Sequence, residues 1–474
     1  MQTYKRKFLI IVALIAVSTA ALGLIGHREG SGSHQDASDN NLSDGLLSLQ
    51  AQLVQNKVLL GSSGTAALAV ELAAAEQPAR SDMPVQPVDL VVVLDRSGSM
   101  HGQKLDDARR ALLHLMACLS PDDRLALVAY ANGVQEISPL ETMDESRRAH
   151  LASAVQRLAA NGGTNLGLGL QRGIEILMQT PGPQRQRRVI LISDGLANQG
   201  VTDPQTLGEM ASAAQASGFG ISTVGVGYDF NEVLMTALAD QGAGSYYFLE
   251  DPNSFAQVFE KEFQTARNVA AAGLEIRIPL PDRVRLVSAG GYPVKLEGRS
   301  AVLFPGDLLS GQKRKLFLTL EVPTRSEGEF KLDRIQVRYQ HDGENRSLTS
   351  EKGWTVACVR NEKEVLASID GDEWSTQVLQ EDYGRLKEEV AKAIRKGHKE
   401  EALVRIREYE RSKRNANESI GSAAVAQNIE VDVEALRQGV EHTFSGPAPA
   451  VAEKKKQQAK ALQYESYKAR RDKK

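Results

Sequence analysis

The chain has 474 residues, of which 42% are hydrophobic, 25% are charged and 5% are aromatic. Its formal net charge of -3 at pH 7 gives no overall electrostatic bias toward nucleic acid, so no nucleic-acid partner is expected. At roughly 150 residues per unit, this length predicts about three structural units. The two cysteines, Cys118 and Cys358, are too few for a disulfide framework, and the sequence leaves open whether they are bonded.

The amino-terminal segment combines a basic start with an uncharged apolar run. Lys5, Arg6 and Lys7 precede residues 8–26, which carry no charge. Two interpretations stay open for residues 1–26: a signal peptide that is removed, or a signal anchor that stays in the membrane. Both place the rest of the chain outside the cytoplasm. We expect a periplasmic protein anchored in the inner membrane by this run, or otherwise a secreted one.

Two β-rich segments flank a longer stretch of different character. Residues 27–45 are polar and predict a flexible linker. Residues 46–87 contain about two strands, and residues 269–358 alternate apolar and polar side chains with a period of two. We predict that the two β-rich segments form one β-sandwich, into which the residues between them are inserted.

Residues 88–268 alternate short apolar runs with amphipathic segments of helix length. The predicted strands are 89–94, 125–131, 188–193, 221–226 and 245–249, with a short one near 135–138. The predicted helices are 103–118, 145–159, 166–179, 204–217, 231–240 and 254–267. This alternation predicts a doubly wound, Rossmann-like α/β fold whose mostly parallel sheet is covered on both faces.

The carboxy-terminal part becomes helical again over residues 359–445. Leu386, Val390 and Ile394 stand four residues apart and define one apolar stripe of a helix. The pattern predicts a helical hairpin, followed by a third helix at 431–440. Residues 446–474 are rich in Lys, Arg and Gln without apolar periodicity, which predicts a basic, disordered tail.

Three short motifs place oxygen-bearing side chains where predicted strands and loops end. The run VVVLDRSGSM supplies Asp95, Ser97 and Ser99, GGTN supplies Thr164, and ISDG supplies Asp194. In open α/β sheets, ligands bind beyond the carboxyl ends of the strands, so we expect these side chains to converge. Two carboxylates and three hydroxyls form an all-oxygen set that suits Mg²⁺, with Mn²⁺ or Ca²⁺ as alternatives.

These motifs resemble the metal-ion-dependent adhesion site of von Willebrand factor type A (VWA) domains, and all five motif positions match. The flanking segments resemble, more loosely, bacterial extracytoplasmic VWA proteins and inter-α-trypsin-inhibitor heavy chains. The resemblance implies that Ser97, Ser99 and Thr164 bind the ion directly, and that Asp95 and Asp194 act largely through bound water. The ion would then accept an Asp or Glu carboxylate from a partner protein.

The function predicted on this basis is metal-dependent protein binding without catalysis. No HExxH motif, nucleophile elbow or paired CxxC site supports an enzyme. His101 and Asn198 follow the metal motifs and are predicted partner contacts, the alternative being exposed turn residues. A scaffold or assembly factor that binds through its helical carboxy-terminal region, with a structural metal, remains the alternative function. A chelatase-type subunit shares the fold and is disfavoured by the amino-terminal segment.

Overall fold

The computed structural model describes residues 41–76, 87–180, 185–251 and 254–471. The predicted signal or anchor segment at 8–26 lies outside these ranges, as does most of the predicted linker. Within these ranges, no helix has both the length and the apolar character needed to cross a membrane.

The helices and strands are numbered here in chain order. The strands are β1 (Asn41–Ser43), β2 (Leu47–Leu53), β3 (Lys57–Leu59), β4 (Thr65–Ala74), β5 (Val88–Asp95), β6 (Arg124–Tyr130), β7 (Val134–Thr142), β8 (Gln186–Ser193), β9 (Gly220–Val226), β10 (Ala243–Leu249), β11 (Val269–Pro279), β12 (Arg285–Ala289), β13 (Val294–Glu297), β14 (Ser300–Leu309), β15 (Lys313–Glu321), β16 (Gly328–Leu332), β17 (Gln336–His341), β18 (Glu344–Thr349) and β19 (Trp354–Val359). The helices are α1 (Gln103–Cys118), α2 (Glu145–Gln156), α3 (Leu166–Gln179), α4 (Pro204–Ala216), α5 (Glu232–Gln241), α6 (Phe255–Arg267), α7 (Glu362–Leu366), α8 (Gly371–Gln377), α9 (Tyr383–Lys396), α10 (Lys399–Ile420), α11 (Ala423–Gln427), α12 (Val433–Thr443) and α13 (Ala448–Arg471).

A six-stranded sheet forms the centre of the α/β unit, in the order β10-β9-β8-β5-β6-β7. Neighbouring strands are parallel except for β6 and β7, which are antiparallel. All residues of β5 are buried because helices cover both faces of the sheet. Leu90 and Val92 pack in the hydrophobic cluster on one face, and Val91 and Val93 pack in the cluster on the other. The prediction of a mostly parallel, doubly wound sheet is confirmed.

Antiparallel sheets are built from residues on both sides of the α/β unit. Their strand orders are β1-β2-β4-β15-β12 and β13-β14-β11-β17-β18. β4 pairs with the whole of β15, so that Val70 lies opposite Leu316. Buried residues of both sheets, such as Leu318 and Ile276, share one hydrophobic cluster. A further pairing joins β3 to β19 in parallel. Residues before and after the α/β unit therefore contribute to the same sheet and the same core.

The helices after residue 359 follow the predicted apolar stripe. Leu386, Val390 and Ile394 are buried on α9. The helix ends at Gly397, whose φ of 79° is left-handed and suits glycine. The predicted hairpin corresponds to α9 and α10, and the predicted third helix corresponds to α12.

The prediction of a disordered tail at 446–474 is wrong for the residues that form α13. This helix has no apolar stripe because much of its buried face is polar. Its buried side chains are Ala459, Lys460, Leu462, Gln463, Ser466 and Tyr467. Lys460 Nζ donates to Glu232 Oε2 at 2.7 Å, and the Tyr467 hydroxyl accepts a hydrogen bond from the Tyr246 backbone N–H at 2.7 Å. Partners distant in the sequence therefore order this helix.

The two cysteines are not bonded to each other. Cys118 ends α1 and Cys358 lies in β19, and both are free thiols.

Candidate functional site

The predicted site residues lie at the carboxyl edge of the parallel sheet. Asp95 is the last residue of β5, and Asp194 directly follows β8, the neighbouring strand. Thr164 precedes α3, in the loop that follows α2. Ser97 and Ser99 lie in the turn between β5 and α1, which contains a short 3₁₀ turn at Gly98–Met100. Because neighbouring parallel strands end at the same edge of the sheet, the loops that follow β5 and β8 lie close together.

Hydrogen bonds connect four of the five side chains directly or through one neighbour. Asp95 Oδ1 accepts from the Ser97 backbone N–H at 2.8 Å. The hydroxyl oxygens of Ser97 and Ser99 are 3.0 Å apart, and Ser99 Oγ donates to Asp194 Oδ1 at 2.7 Å. Asp95 Oδ2 accepts from Ser193 Oγ at 2.9 Å, and Ser193 precedes Asp194 in the chain. The two serines therefore lie between the two carboxylates.

Thr164 joins this cluster from the third loop. A Cβ atom placed on Gly195 would lie 3.4 Å from Ser99 Oγ and 3.5 Å from Thr164 Oγ1, so both hydroxyls flank that glycine. Asn198 holds the loop, since its Oδ1 accepts from the Thr164 N–H at 2.9 Å and its own N–H donates to the Thr164 carbonyl at 3.1 Å. The structure thus brings together all five side chains that the sequence predicts.

The site concentrates buried negative charge. Asp95 and Asp194 have no exposed surface. The pKa of Asp95 is raised to about 6, chiefly by burial and in smaller part by the nearby Asp194 carboxylate, although hydrogen bonds from Ser97 and Ser193 oppose the increase. Lys104, in the first turn of α1, places its Nζ 2.5 Å from Asp194 Oδ2. The two buried carboxylates carry more negative charge than the ammonium group of Lys104 neutralises, so the site can bind a further cation.

The donor set defines which ions the site fits. It offers two carboxylates and three hydroxyls, and hard divalent cations prefer such oxygen ligands. In the part of the chain that the structure describes, no group of three or more His, Cys, Asp or Glu side chains is placed to hold a metal ion. The residues present therefore fit an ion such as Mg²⁺ better than a softer metal such as Zn²⁺.

Three residues that support the site are not among those predicted from the sequence. They are Lys104, Ser193 and Asn132, whose Oδ1 accepts from the Gly163 N–H at 2.5 Å. The sequence does indicate a role for Ser193, because this residue ends a buried strand and stands next to a candidate carboxylate. Lys104 and Asn132 reach the site from outside the three motifs, and only the folded arrangement shows their contacts.

His101 and Asn198, the two predicted partner contacts, are both exposed next to the site. Asn198 uses its side chain within the protein, to hold the Thr164 loop. His101 directly follows the 3₁₀ turn that carries Ser99.

Comparison with known proteins agrees with this architecture. Residues 89–261 match the family model of the von Willebrand factor type A domain. An uncharacterized protein of Synechocystis sp. is 29% identical over 264 residues, which cover 53% of this chain and 61% of that protein. Inter-alpha-trypsin inhibitor heavy chain H1 of Sus scrofa is 31% identical over 201 residues, which cover 40% of this chain and 22% of that protein. The chain thus matches less than two thirds of the length of either relative.

A solved structure extends the likeness beyond the α/β unit. The von Willebrand factor type A protein from Catenulispora acidiphila superposes with a TM-score of 0.66 at 19% sequence identity. The superposition covers 91% of this chain and 98% of that one, so the fold is shared over nearly the whole length.

The α/β unit of this protein therefore matches the von Willebrand factor type A (VWA) domain model and has the fold of a VWA protein. Such domains are protein-interaction modules and commonly bind a divalent metal ion at their adhesion site.

Proposed function

We propose that this protein binds a partner protein through a divalent cation, Mg²⁺ or alternatively Mn²⁺ or Ca²⁺, at its VWA domain. The observation that carries the proposal is the convergence of two buried carboxylates and three hydroxyls from three separate loops. Ser97, Ser99 and Thr164 would hold the ion with neutral oxygens, and Asp95 and Asp194 would supply negative charge. When bound, the ion supplies a positive centre that accepts an Asp or Glu carboxylate of the partner.

The surroundings of the site suit a protein partner. Ser99 and His101 are exposed at the mouth of the site, where a side chain from outside can approach. Leu196 is 58% exposed and Val201 is 43% exposed, and both lie in the loop after Asp194. Exposed apolar side chains beside polar groups are typical of interaction surfaces. We propose that this loop contacts the partner around the carboxylate, and that Asn198 supports it from within.

Binding rather than catalysis fits the groups that are gathered here, so we propose that the protein is not an enzyme. We further propose that it acts outside the cytoplasm, with support from the basic residues at 5–7 and the uncharged run at 8–26. We also propose that the antiparallel sheets form a β-sandwich into which the VWA domain is inserted. In that arrangement they would support the domain and present its carboxyl edge to a partner.

The alternative, a scaffold that binds through the carboxy-terminal helices, has less support. The apolar side chains of these helices pack against one another in one cluster, which contains Leu386, Ile406 and Val440. On α13, Lys460 and Tyr467 contact the VWA domain. The helix surfaces that a scaffold would need for binding a partner are therefore largely occupied by contacts within this chain.

The metal proposal is tested by calorimetric titration of the full chain with Mg²⁺ and with Mn²⁺. We expect saturable binding in the wild type and none in Asp95→Ala. Asp144→Ala is the matched control, because Asp144 caps α2 by accepting from the Arg147 N–H and lies outside the site. Equal binding heats for the wild type and Asp95→Ala would overturn the metal assignment.

The partner proposal is tested by affinity capture in Mg²⁺ and elution with EDTA, with proteins identified by mass spectrometry. Leu196→Gln should reduce capture while leaving the Mg²⁺ affinity unchanged, because Leu196 belongs to the exposed loop and not to the ligand set, and the change adds no charge. Capture that survives both EDTA and Asp95→Ala would contradict a metal-mediated contact.

A further inference from the structure

A cavity of about 90 Å³ lies where three parts of the protein meet, at the sheet edge opposite the metal site. The VWA domain contributes Arg188, near the start of β8, and the beginning of β10. The β-rich part contributes Asp307 and Arg314, and α13 contributes Lys468 and Arg471. Since α13 closes the cavity, this site is formed only when the whole chain is assembled.

The cavity wall is rich in guanidinium groups, some of which have carboxylate partners. Arg188 is 3% exposed and forms ion pairs with Glu262 at 3.2 Å and with Asp307 at 2.8 Å. Arg471 forms an ion pair with Asp240. These pairs hold two of the cations in place and neutralise them in part.

Arg314 and Lys468 differ from these two arginines because they form no ion pair with a described carboxylate. Arg314 is 6% exposed, and its terminal nitrogens donate to backbone carbonyls of Pro305 and Asp307. Burial, together with the positive charge of Arg471, lowers the pKa of Arg314. Lys468 is exposed at the rim, with its Nζ 4.8 Å from the ring centre of Tyr464. Among the described residues, neither cation has a carboxylate within salt-bridge distance, so the cavity carries excess positive charge.

Three arginines of this wall also have an unpaired donor nitrogen in the inner part of the guanidinium group. The Nε–H groups of Arg188, Arg314 and Arg471 are buried without a hydrogen-bond partner in the described part of the chain. A buried donor left unpaired is costly, and a charged one more so. Guanidinium groups hydrogen-bond oxyanions with particular strength, because their planar N–H groups match the spacing of the oxygens.

We propose that this cavity binds a phosphate-type oxyanion. Its volume of about 90 Å³ exceeds the roughly 10–15 Å³ that a single water needs, which leaves room for one tetrahedral anion. The anion would neutralise Arg314 and Lys468 and accept hydrogen bonds from the wall. It would also tie the VWA domain, the β-rich part and α13 together. The chemistry is shared by free phosphate and by the phosphate group of a small phosphomonoester.

The test measures the melting temperature of the full chain, and calorimetric binding, with inorganic phosphate and with O-phosphoserine at constant ionic strength. We expect a saturable rise in melting temperature with at least one of these ligands and none with sodium chloride. Binding of phosphate alone would identify the free anion as the ligand, and tighter binding of phosphoserine would identify a phosphomonoester.

Variants localise the binding. Arg314→Gln should weaken binding by about tenfold or more, because it removes a charged donor. Lys468→Gln, on the exposed rim, should weaken it by about threefold and keeps the test valid if the Arg314 variant folds poorly. Lys456→Gln is the matched control on the same helix, since Lys456 pairs with Asp229 and does not line the cavity.

Two results would overturn the proposal. One is the absence of any shift with either ligand, which would leave a cavity that holds only water. The other is equal affinity in the wild type, Arg314→Gln and Lys468→Gln, which would place the anion elsewhere on the surface. Because Asp95→Ala removes only the metal site, phosphate binding should persist in that variant, and the two proposals can fail independently.

Discussion

The ammonium nitrogen of Lys104 lies 2.5 Å from Oδ2 of Asp194, a carboxylate with no exposed side-chain surface. Asp194 also accepts a hydrogen bond from Ser99, so this carboxylate is shared between a lysine and a hydroxyl of the candidate metal site. The lysine is 27% exposed, which leaves its side chain room to move. A divalent ion that binds here must therefore compete with the charge of Lys104.

Lys104→Gln should bind Mg²⁺ more tightly than the wild type, by about tenfold, because a positive charge close to the ion is removed. Lys104→Arg keeps the charge and should retain the wild-type affinity within about threefold. Calorimetric titration of both variants measures the difference. Weaker Mg²⁺ binding in Lys104→Gln would show that the lysine supports the site rather than opposing the ion.

Ser193→Ala should lower the unfolding free energy by about 1–3 kcal/mol, because the buried Asp95 carboxylate loses a hydrogen bond from Ser193 Oγ. Denaturant unfolding in EDTA measures this loss without a contribution from metal. Ser153→Ala serves as the control, since Ser153 is exposed on α2 and donates only to the Ala149 carbonyl. A loss no larger than that of the control would argue against a positioning role for Ser193.

Lys460→Met should destabilise the protein by about 3 kcal/mol, since the buried Glu232 would lose a partner only 2.7 Å away. Lys456→Met, one turn earlier on α13, should cost under about 1 kcal/mol, because its pair with Asp229 is exposed. Denaturant unfolding compares the two. Similar small losses in both variants would mean that α13 is not held by its buried ion pair.

The stability of the protein should also depend on Glu381, which lies in the π-helical turn between α8 and α9. Burial raises the pKa of this carboxyl to about 7 from its ordinary 4.5. The folded state then binds its proton more tightly than the unfolded state, so the unfolding free energy falls as pH rises from 4.5 to 7. The loss is complete above that range.

Glu381→Gln removes this ionisation and should be more stable than the wild type at pH 8 by on the order of 2 kcal/mol. At pH 4 the two proteins should be about equally stable. Denaturant unfolding across this pH range measures the difference. Glu408→Gln, an exposed carboxylate change on α10, is the control and should show no such trend. A constant difference between the wild type and Glu381→Gln at all pH values would contradict the assignment.

The sequence predicted the VWA domain closely because its local signals agree with its tertiary structure. Strands such as β5 are apolar throughout since both faces are covered, and α1 has the predicted bounds of 103–118. The convergence of Asp95, Ser97, Ser99 and Asp194 follows from where the parallel strands β5 and β8 end, and Thr164 joins them from the loop before α3. In contrast, local sequence signals do not predict α13, because Lys460 and Ser466 are buried by partners far away in the chain. The role of Lys104 is not predictable from local sequence either, because its partner Asp194 is 90 residues away in the chain.

The pairing of β4 with β15 affects the order in which the chain can fold during synthesis. β4 leaves the ribosome before the whole VWA domain, whereas β15 emerges only after it. While the VWA domain is being synthesised, β4 can pair with β2, but its other edge lacks the partner β15. Closing so distant a strand pair is slow. A chaperone that shields the waiting strand during synthesis would shorten the time in which it can aggregate.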